Sequence, residues 1–323
     1  MKVVITDYEY DNIDNEKKII AEAGFDLYAY QCNSEDELIE KCRDADGVIV
    51  QYCEITARVI DAMEHCRIII KYGIGVNNID SAAATRKGIY VCNVPDYGVD
   101  EVSNHAITMI MMLSKKMIRI TNSLRAGTWG YQCVEPLYRF RNKTLGLVGF
   151  GRIPRMVAEK MKNFGLEIVA YDPYVPEKAA QDLGVKLVDF DTLVKMSDYI
   201  SVHCPLTDDT THLFNRGVFQ KMKNTACIVN TARGPIVDQE DLIEALKNGE
   251  IAGAGLDVYE KEPITKDNPL LQMDNVICTP HCAWYSEDAI VAVQSGAAKE
   301  VVNVLQGNMP WHAVNMTALK NQN

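Results

Sequence analysis

An arginine, a glutamate and a histidine in the second half of the sequence each follow a short apolar run that favours a β-strand. They are Arg233, Glu262 and His281. An arginine fork binds a carboxylate through two parallel hydrogen bonds, and a histidine exchanges a proton near neutral pH. A carboxylate beside the histidine stabilises the protonated ring and fixes its orientation. These three side chains therefore suit the reduction of a 2-keto acid.

Each of the three side chains also has an ordinary structural role open to it. An arginine after a strand commonly forms a surface salt bridge, a glutamate in an acidic loop is solvated, and a histidine after Pro280 shapes a turn. Their order favours a shared site, because the carboxyl ends of parallel strands line one crevice. We therefore treat Arg233, Glu262 and His281 as the candidate catalytic set.

Residues 145–154, Leu-Gly-Leu-Val-Gly-Phe-Gly-Arg-Ile-Pro, predict a strand followed by a glycine turn and the start of a helix. Gly149 permits a tight turn, and Gly151 lets a pyrophosphate approach the backbone. The helix N-terminus at Arg152 and Ile153 offers free N–H groups to phosphates. The segment predicts a dinucleotide site.

The next predicted strand ends in Asp172, where an acidic side chain can take the ribose hydroxyls. A carboxylate there also repels the extra phosphate of NADP, so NAD is favoured; the alternative is a simple turn residue before Pro173. Pro154 replaces the third glycine of the usual motif. Proline is tolerated in a first helical turn, so we expect a small local shift and not a loss of binding.

The length, charge and hydrophobic pattern of the chain limit the classes of protein to which it can belong. The 323 residues fit two domains of ordinary size. The formal net charge is −11 and no Lys/Arg-rich run is present, so we predict no nucleic-acid partner, because such binding depends on neutralising phosphates. No apolar run reaches the length of a membrane span, and the start, MKVVITDYEY, favours a strand over a secretory signal. We expect a soluble protein with no membrane partner.

Ten cysteines are scattered along the chain. Cys278 and Cys282 flank His281, but a zinc site needs a second ligand pair at a defined spacing, so we predict no metal. Scattered cysteines are typical of small buried side chains in a reducing compartment. We therefore expect a cytoplasmic location.

Short apolar runs alternate with amphipathic stretches, which predicts α/β units with parallel sheets. In the first series the predicted strands are 3–6, 47–50, 68–70 and 89–91, and the predicted helices are 15–23, 35–43, 55–63 and 79–86. In the second series the predicted strands are 144–148, 167–171, 199–203, 225–229, 252–256 and 276–278, followed by a helix over 287–305. Between the series we expect one long helix over 101–125, capped by Asp100, which either spans a domain or subunit boundary or lies in a core.

Several ordered segments between about residues 47 and 305 resemble the D-isomer-specific 2-hydroxyacid dehydrogenase family. Besides the glycine turn, they are Gly-Ile-Gly-Val-Asn-Asn-Ile-Asp at 73–80, Asn-Val-Pro at 93–95, His-Cys-Pro-Leu-Thr at 203–207, Thr-Ala-Arg-Gly at 231–234, Leu-Asp-Val at 256–258 and Thr-Pro-His at 279–281. The spacings between Arg233, Glu262 and His281 are also similar to those of the family.

The resemblance implies an α/β fold with two doubly wound parallel-sheet domains around a cleft. A Rossmann NAD-binding domain, residues 98–285, would be inserted into a flavodoxin-like substrate domain, residues 1–97 and 286–323. The resemblance further implies a homodimer, made by the helix after Asp100 and an arm near 127–140.

The same resemblance implies roles for individual residues. Arg233 would bind the substrate, His281 would be the acid/base and Glu262 its partner. The substrate would also meet the backbone N–H groups of Gly73, Ile74 and Gly75. The residues implied to contact NAD are Gly149, Gly151, Arg152, Ile153, Asp172, His203, Cys204, Pro205, Thr210, Thr231, Ala232, Arg233, Asp257, His281 and Ala283.

Within the family, the segment Ala-Trp-Tyr-Ser-Glu at 283–287 looks most like the C-terminal binding proteins, which are NAD(H)-binding transcriptional corepressors. Trp284 would wall the substrate pocket and favour apolar side chains, or it would serve as a hinge or interface aromatic. Ile74 stands where the family often has a small hydroxyl residue, which puts one nicotinamide contact in question.

Two functions follow from these observations. The first is an NAD-dependent D-2-hydroxyacid dehydrogenase acting on a 2-keto acid, and the alternative is an NAD(H)-sensing scaffold; the complete catalytic set favours the enzyme. Hydroxypyruvate, glyoxylate, pyruvate, phosphohydroxypyruvate and branched or aromatic keto acids all remain open as substrates. Trp284 and Tyr285 give a preference for a bulky apolar one.

Overall fold

The computed structural model describes residues 1–320. The chain divides into two compact units. The first unit comprises Met1–Gly98 and the chain from Ser286 onward, and the second comprises Val99–Tyr285. The second unit is thus an insertion in the sequence of the first. The assignment of substrate and cofactor to the two units stays a prediction.

The elements have the following bounds. The strands are β1 (Lys2–Ile5), β2 (Asp26–Ala29), β3 (Gly47–Val50), β4 (Ile68–Lys71), β5 (Tyr90–Cys92), β6 (Thr144–Val148), β7 (Glu167–Tyr171), β8 (Lys186–Leu187), β9 (Tyr199–Val202), β10 (Cys227–Asn230), β11 (Gly253–Leu256) and β12 (Val276–Cys278). The helices are α1 (Asp14–Glu22), α2 (Glu35–Cys42), α3 (Ala57–Ala62), α4 (Ser81–Arg86), α5 (Val99–Ser114), α6 (Met117–Arg125), α7 (Arg152–Met161), α8 (Glu177–Gln181), α9 (Phe190–Met196), α10 (Arg216–Phe219), α11 (Gln239–Asn248), α12 (Glu287–Leu305) and α13 (Met316–Lys320).

Each unit is built on one parallel sheet. The sheet of the first unit has the strand order β2-β1-β3-β4-β5, which is the flavodoxin-like order. The sheet of the second unit has the order β12-β11-β10-β9-β6-β7-β8. In it the chain winds outward from β6 in one direction and from β9 in the other, as in a Rossmann fold. The predicted class, two doubly wound parallel-sheet α/β domains, is confirmed.

Sequence composition explains the sheets, because strands covered on both faces need continuous apolar runs. β3 is Gly-Val-Ile-Val and is buried throughout, and β4 begins with three buried isoleucines. In the second unit, α5 and α7 pack with the sheet residues Leu145, Leu147 and Val229 in one apolar cluster. The cluster on the other side contains residues of α9 and α11.

The predicted single helix over 101–125 is wrong in two respects. The helix begins earlier, at Val99, and it is interrupted after Ser114, with a second helix starting at Met117. Lys116 adopts a left-handed backbone with φ 49°. Its Nζ donates to the carbonyl oxygens of Val134 (3.2 Å) and Pro136 (2.9 Å), so distant chain segments stabilise the break.

Two strands are absent from the predicted set. β2 is a four-residue strand of alternating exposure at the edge of the first sheet, and β8 is a two-residue strand at the edge of the second. An edge strand has a neighbouring strand on one side only and is partly exposed to solvent. It therefore needs no continuous apolar run. The other predicted strands and helices are present with ends shifted by up to two residues.

Candidate active site

The predicted site residues of the second unit follow the carboxyl ends of its strands. The segments are 149–151 after β6, Asp172 after β7, 203–205 after β9, 231–233 after β10, Asp257 after β11 and 279–283 after β12. Because all these strands are parallel, the segments lie at one edge of the sheet.

Gly149 makes the turn after β6 at the point where the winding direction of the sheet reverses. Its φ is +89°, a left-handed conformation that side chains disfavour. A β-carbon on it would lie 2.8 Å from the backbone nitrogen of Cys204 and 2.9 Å from the carbonyl carbon of His203. Gly149 therefore lets the turn after β6 contact the turn after β9.

Gly151 is the residue before the first turn of α7, and its surroundings are different. A β-carbon built there meets no atom within 4 Å. The start of α7, at Arg152 and Ile153, suits a phosphate, because the first N–H groups of an α-helix point outward from its N-terminus. Pro154 is buried at the third helical position, where its missing N–H disrupts no bond.

Asp172 is held beside this turn. Its two carboxylate oxygens accept hydrogen bonds from the backbone N–H of Phe150 (2.8 Å) and of Tyr174 (2.9 Å). The end of β7 and the glycine turn are thereby fixed to each other with a negative charge between them.

The turn after β9 contains a half-buried histidine and a buried cysteine. His203 Nε2 lies 2.8 Å from Ser201 Oγ, and burial lowers the pKa of His203 to about 3, so the ring is neutral at physiological pH. Burial raises the pKa of Cys204 to about 11, so the thiol is protonated. Thr210 Oγ1 donates to the carbonyl of Pro205 at 2.7 Å and accepts from the N–H of Thr207, which closes the loop.

Thr231 follows β10, and its hydroxyl oxygen is buried without a hydrogen-bond partner among the described residues. An unpaired buried hydroxyl is unfavourable unless a ligand satisfies it. This hydroxyl, the open face of Gly151, the helix N-terminus and the Asp172 carboxylate together fit a dinucleotide. The residues present therefore suit NAD.

Glu262 and His281 form a direct pair, with Glu262 Oε2 2.7 Å from His281 Nδ1. The other oxygen, Oε1, accepts from the N–H of Tyr259 at 2.9 Å. Burial alone would raise the pKa of Glu262, but the bonds from His281 and Tyr259 and the charges of His281 and Arg233 hold it below its ordinary value. A charged carboxylate keeps a proton on Nδ1 and leaves Nε2 for another partner.

Arg233 lies in the turn after β10, and a neighbouring asparagine shapes that turn. Asn230 Nδ2 donates to the carbonyl of Arg233 at 2.9 Å, and its Oδ1 accepts from the N–H of Ala232 at 3.0 Å. Arg233 Nη1 donates to the Ala232 carbonyl at 2.6 Å. A β-carbon on Gly234 would overlap the Tyr259 carbonyl, so this turn packs directly on the loop leading to Glu262.

Asp257 is almost fully buried, and protein donors occupy its carboxylate. Oδ1 accepts from Thr279 Oγ1 (2.5 Å) and the N–H of Cys282 (2.9 Å), while Oδ2 accepts from the N–H of Ala283 (2.9 Å). The structure thus shows Asp257 holding the loop that carries His281. Its predicted contact with NAD stays a prediction, as does that of Ala283.

The predicted substrate loop lies in the first unit, after β4. Gly73 has φ +141°, which favours glycine. The Gly73 carbonyl accepts from the N–H of Val94 (2.9 Å), and the Ile74 carbonyl accepts from Asn93 Nδ2 (2.7 Å). Because N–H and C=O point in opposite directions in a trans peptide, the N–H groups of Ile74 and Gly75 point away from these partners.

Trp284 is linked to the histidine loop. Its Nε1 donates to the carbonyl of His281 at 3.1 Å, and its ring meets Tyr285 edge-on, with centroids 5.9 Å apart. Both predicted roles, a substrate wall and an interface aromatic, stay predictions.

Sequence reasoning missed the parts played by Asn230 and His105. Asn230 stands inside a recognised segment, but its side-chain bonds require the folded turn. His105, on α5, lies far along the chain from its partner Thr279 and gives no local signal.

Within residues 1–320, no group of three or more His, Cys, Asp or Glu side chains is placed to hold a metal ion. Over the same range, every helix is too short or too polar to cross a bilayer.

Comparisons with known proteins agree with the predicted family. The model of the NAD binding domain of D-isomer specific 2-hydroxyacid dehydrogenases matches residues 107–283. A D-3-phosphoglycerate dehydrogenase of Archaeoglobus fulgidus is 40% identical over 288 residues, which cover 89% of this chain and 54% of the relative. The chain therefore spans about half the length of that protein.

A second relative and a solved structure match over more of their own length. A hydroxypyruvate reductase of Thermotoga maritima is 42% identical over 258 residues, covering 79% of this chain and 83% of the relative. The structure of a D-lactate dehydrogenase from Aquifex aeolicus, complexed with NAD and lactic acid, has a TM-score of 0.83 at 28% identity and covers 95% of this chain and 96% of that one. The chain belongs to the D-isomer specific 2-hydroxyacid dehydrogenase family.

Proposed function

We propose that the protein is an NAD-dependent D-2-hydroxyacid dehydrogenase, which reversibly transfers a hydride between NADH and a 2-keto acid. The observation that carries the proposal is the 2.7 Å pair of Glu262 and His281 in the same unit as the Gly149–Gly151 turn. NADH supplies the hydride when bound. The family membership supports this chemistry, and because the chain spans only part of some relatives, the activity of the whole protein is our proposal.

We assign the cofactor to the strand ends of the second unit. Gly149, Gly151 and the first N–H groups of α7 would hold the pyrophosphate, with Arg152 adding a positive charge. Asp172 would bind the ribose hydroxyls and disfavour the phosphate of NADP. The further residues that we assign to the cofactor are Ile153, His203, Cys204, Pro205, Thr210, Thr231, Ala232, Arg233, Asp257, His281 and Ala283.

We assign the substrate carboxylate to the Arg233 guanidinium and to the backbone N–H groups of Ile74 and Gly75, with Gly73 providing the turn. His281, protonated on both nitrogens, would give the Nε2 proton to the carbonyl oxygen while Glu262 stabilises the charged ring. In the reverse direction the neutral ring would accept that proton. Trp284 would contact the side chain of the substrate.

Measuring NADH oxidation with a panel of 2-keto acids tests the proposal. The panel contains glyoxylate, hydroxypyruvate, phosphohydroxypyruvate, pyruvate and branched and aromatic keto acids. Turnover of at least one acid that His281→Ala abolishes is expected. No turnover with any member, or unchanged turnover in His281→Ala, would count against the enzyme.

The alternative, an NAD(H)-sensing scaffold similar to the C-terminal binding proteins, is not favoured by the comparisons. The relatives described above are named as enzymes. The likeness at 283–287 stays a prediction, which NADH-dependent capture of a corepressor-type peptide without turnover would support.

We propose that the protein forms a homodimer through α5, α6 and the arm that follows. This part of the second unit exposes large apolar side chains, namely Leu124, Trp129, Tyr131, Leu137 and Tyr138. A cavity of about 330 Å³ is lined by the end of α5, the start of α6, Pro136–Tyr138 and residues at or beside β9 to β12. Large exposed apolar surfaces commonly mark interfaces.

Sedimentation velocity should give a mass of twice the 36.1 kDa chain for the wild type, and Trp129→Glu should give the mass of a single chain.

We also propose a cytoplasmic location. All ten cysteines are free thiols, as expected in a reducing compartment. Cell fractionation with an antibody against the protein tests this location.

A further inference from the structure

His281 holds an unusual backbone conformation. Its φ is +53°, in the left-handed region that a side chain with a β-carbon occupies only when its surroundings enforce it. The N–H of His281 donates to the carbonyl of Asp257 at 2.8 Å, and its own carbonyl accepts from Trp284 Nε1 at 3.1 Å. Main-chain bonds on both sides therefore fix the residue that carries the proposed acid/base.

The carboxylate of Asp257 extends this support to the residues that follow. It accepts the N–H groups of Cys282 and Ala283, so it fixes the turn immediately after His281. Its side chain is 1% exposed. A buried carboxylate keeps a defined position only while all its donors are present, because each lost bond leaves an unsatisfied charge.

The third donor to Asp257 is the hydroxyl of Thr279, and a histidine fixes that hydroxyl. Thr279 Oγ1 donates to Asp257 Oδ1 at 2.5 Å and lies 3.0 Å from His105 Nε2. A hydroxyl has one proton, which goes to the carboxylate, so its oxygen accepts from His105. Because Nε2 of His105 is the donor in this hydrogen bond, it carries a proton.

His105 is well placed to act as a fixed support. It lies on α5, which contacts β10 and β11, and its side chain is 23% exposed. All four members of the chain, His105, Thr279, Asp257 and His281, belong to the second unit.

We infer that His105 is a positioning residue for His281, acting through the hydroxyl of Thr279 and the carboxylate of Asp257. It does not touch the reacting atoms. It holds the His281 loop so that Nδ1 stays on Glu262 and Nε2 stays available for proton transfer. The inference rests on the proposed function for its catalytic consequence, and on the hydrogen bonds alone for its structural part.

Steady-state kinetics on the full chain test the catalytic part. Removing the support displaces the acid/base without removing a substrate contact, so His105→Ala should lower kcat about 10- to 100-fold. KM for the keto acid and Kd for NADH should change much less than kcat, because the Gly149–Gly151 turn, Asp172 and Arg233 are left in place. NADH-binding stoichiometry counts the folded sites, so a loss of folding cannot imitate this result.

Conservative variants separate positioning from packing. His105→Gln keeps an N–H donor at a similar reach, and Thr279→Ser keeps the hydroxyl, so both should restore kcat to within about threefold of the wild type. Thr279→Val should be as slow as His105→Ala. The double variant should be no slower than Thr279→Val alone, since residues in one network are not additive. Thr108→Ala, an exposed hydroxyl one turn further along α5, is the matched control and should keep full kcat.

An activity-independent measurement separates this inference from the proposed function. In ¹⁵N-histidine-labelled protein, the Nδ1–H resonance of His281, assigned with His281→Gln, should exchange with solvent more slowly than that of a free imidazole, because it is bonded to Glu262. Exchange should be faster in His105→Ala and in Thr279→Val, and slow again in His105→Gln. A wild type that reduces no keto acid would refute the proposed function and leave this comparison valid. Unchanged exchange in His105→Ala, or a glutamine variant as defective as alanine, would overturn the inference.

Discussion

A β-carbon on residue 149 would lie 2.8 Å from the backbone nitrogen of Cys204, so Gly149 and Cys204 meet through main chain alone. This contact joins the turns after β6 and β9, the two strands at which the second sheet reverses its winding. Gly151, two residues further on, has open space where a side chain would stand. The two glycines of the motif thus have different surroundings: the protein itself constrains Gly149, whereas we propose that Gly151 faces the cofactor.

Alanine substitutions should separate these two constraints. Gly149→Ala should lower the free energy of unfolding by about 1–3 kcal/mol, because of the left-handed backbone and the contact with Cys204. Gly151→Ala should leave stability within about 0.5 kcal/mol of the wild type but raise Kd for NADH about tenfold. Urea unfolding and fluorescence titration with NADH measure the two effects. An unchanged Kd for NADH in Gly151→Ala would show that the open face of Gly151 is not a cofactor surface.

The carboxylate of Asp172 should decide between the two nicotinamide dinucleotides. Asp172→Asn keeps an acceptor for the N–H of Phe150 and removes the charge that would repel the phosphate of NADPH. The ratio of Kd for NADPH to Kd for NADH should fall about tenfold, which corresponds to about 1.4 kcal/mol. Asp182→Asn, an exposed acid after α8, is the control and should keep the wild-type ratio. An unchanged ratio in Asp172→Asn would place the ribose elsewhere.

Two glutamates in one loop offer a matched comparison of charge near His281. Glu262→Gln keeps the shape of the side chain and removes the negative charge that stabilises the protonated ring, so kcat should fall about 100-fold. Glu260 instead accepts from the N–H of Gln239 and pairs with His212, so Glu260→Gln should keep kcat within about twofold of the wild type. Stopped-flow NADH oxidation measures both. Similar rates for the two variants would remove Glu262 from the catalytic set.

The neutral, half-buried ring of His203 should make the protein less stable in mild acid. Unfolded chains bind a proton on histidine below pH 6.5, whereas burial lowers the pKa of His203 in the folded protein to about 3. The contribution of His203 to the free energy of unfolding is therefore fully present above pH 6.5. It is lost at about 1.4 kcal/mol per pH unit as the pH falls toward 3. His203→Gln keeps a partner for Ser201 and cannot titrate, so its free energy of unfolding should fall less steeply between pH 6 and 4. Parallel slopes for the two proteins would contradict a neutral His203 ring in the folded protein.

Much of the fold was predictable because its strands are apolar and its helices carry ordinary end signals. β3 and β4 are nearly pure runs of Val and Ile, and Ser286 caps the start of α12, because its hydroxyl accepts from the N–H of Ala289. The break at Lys116 was not predictable, because its stabilising bonds go to the carbonyls of Val134 and Pro136. No glycine or proline marks that position in the sequence.

The candidate site, like the fold, was predictable from the sequence only in part. Arg233, Glu262 and His281 were selected from residue type and their order after strands, and the pairing of the last two is visible in the structure. The support given by His105 could not be read from the sequence, because it joins α5 to a loop after β12 through two intermediate side chains. Hydrogen-bond chains of this kind exist only once distant segments have packed.

Because the second unit is inserted in the sequence of the first, the elements of the first unit are synthesised in two separate stages. All five strands of the first sheet are synthesised by Cys92, but α12, which packs on α1, β3 and β4, follows only after the whole second unit. Val301 lies against Gly47, and Gln294 bonds to Asn15 at 2.8 Å. During synthesis the part of the first sheet that α12 covers, at β3 and β4, therefore stays exposed until the second unit has been made. We expect the nascent first unit to be prone to aggregation at this stage.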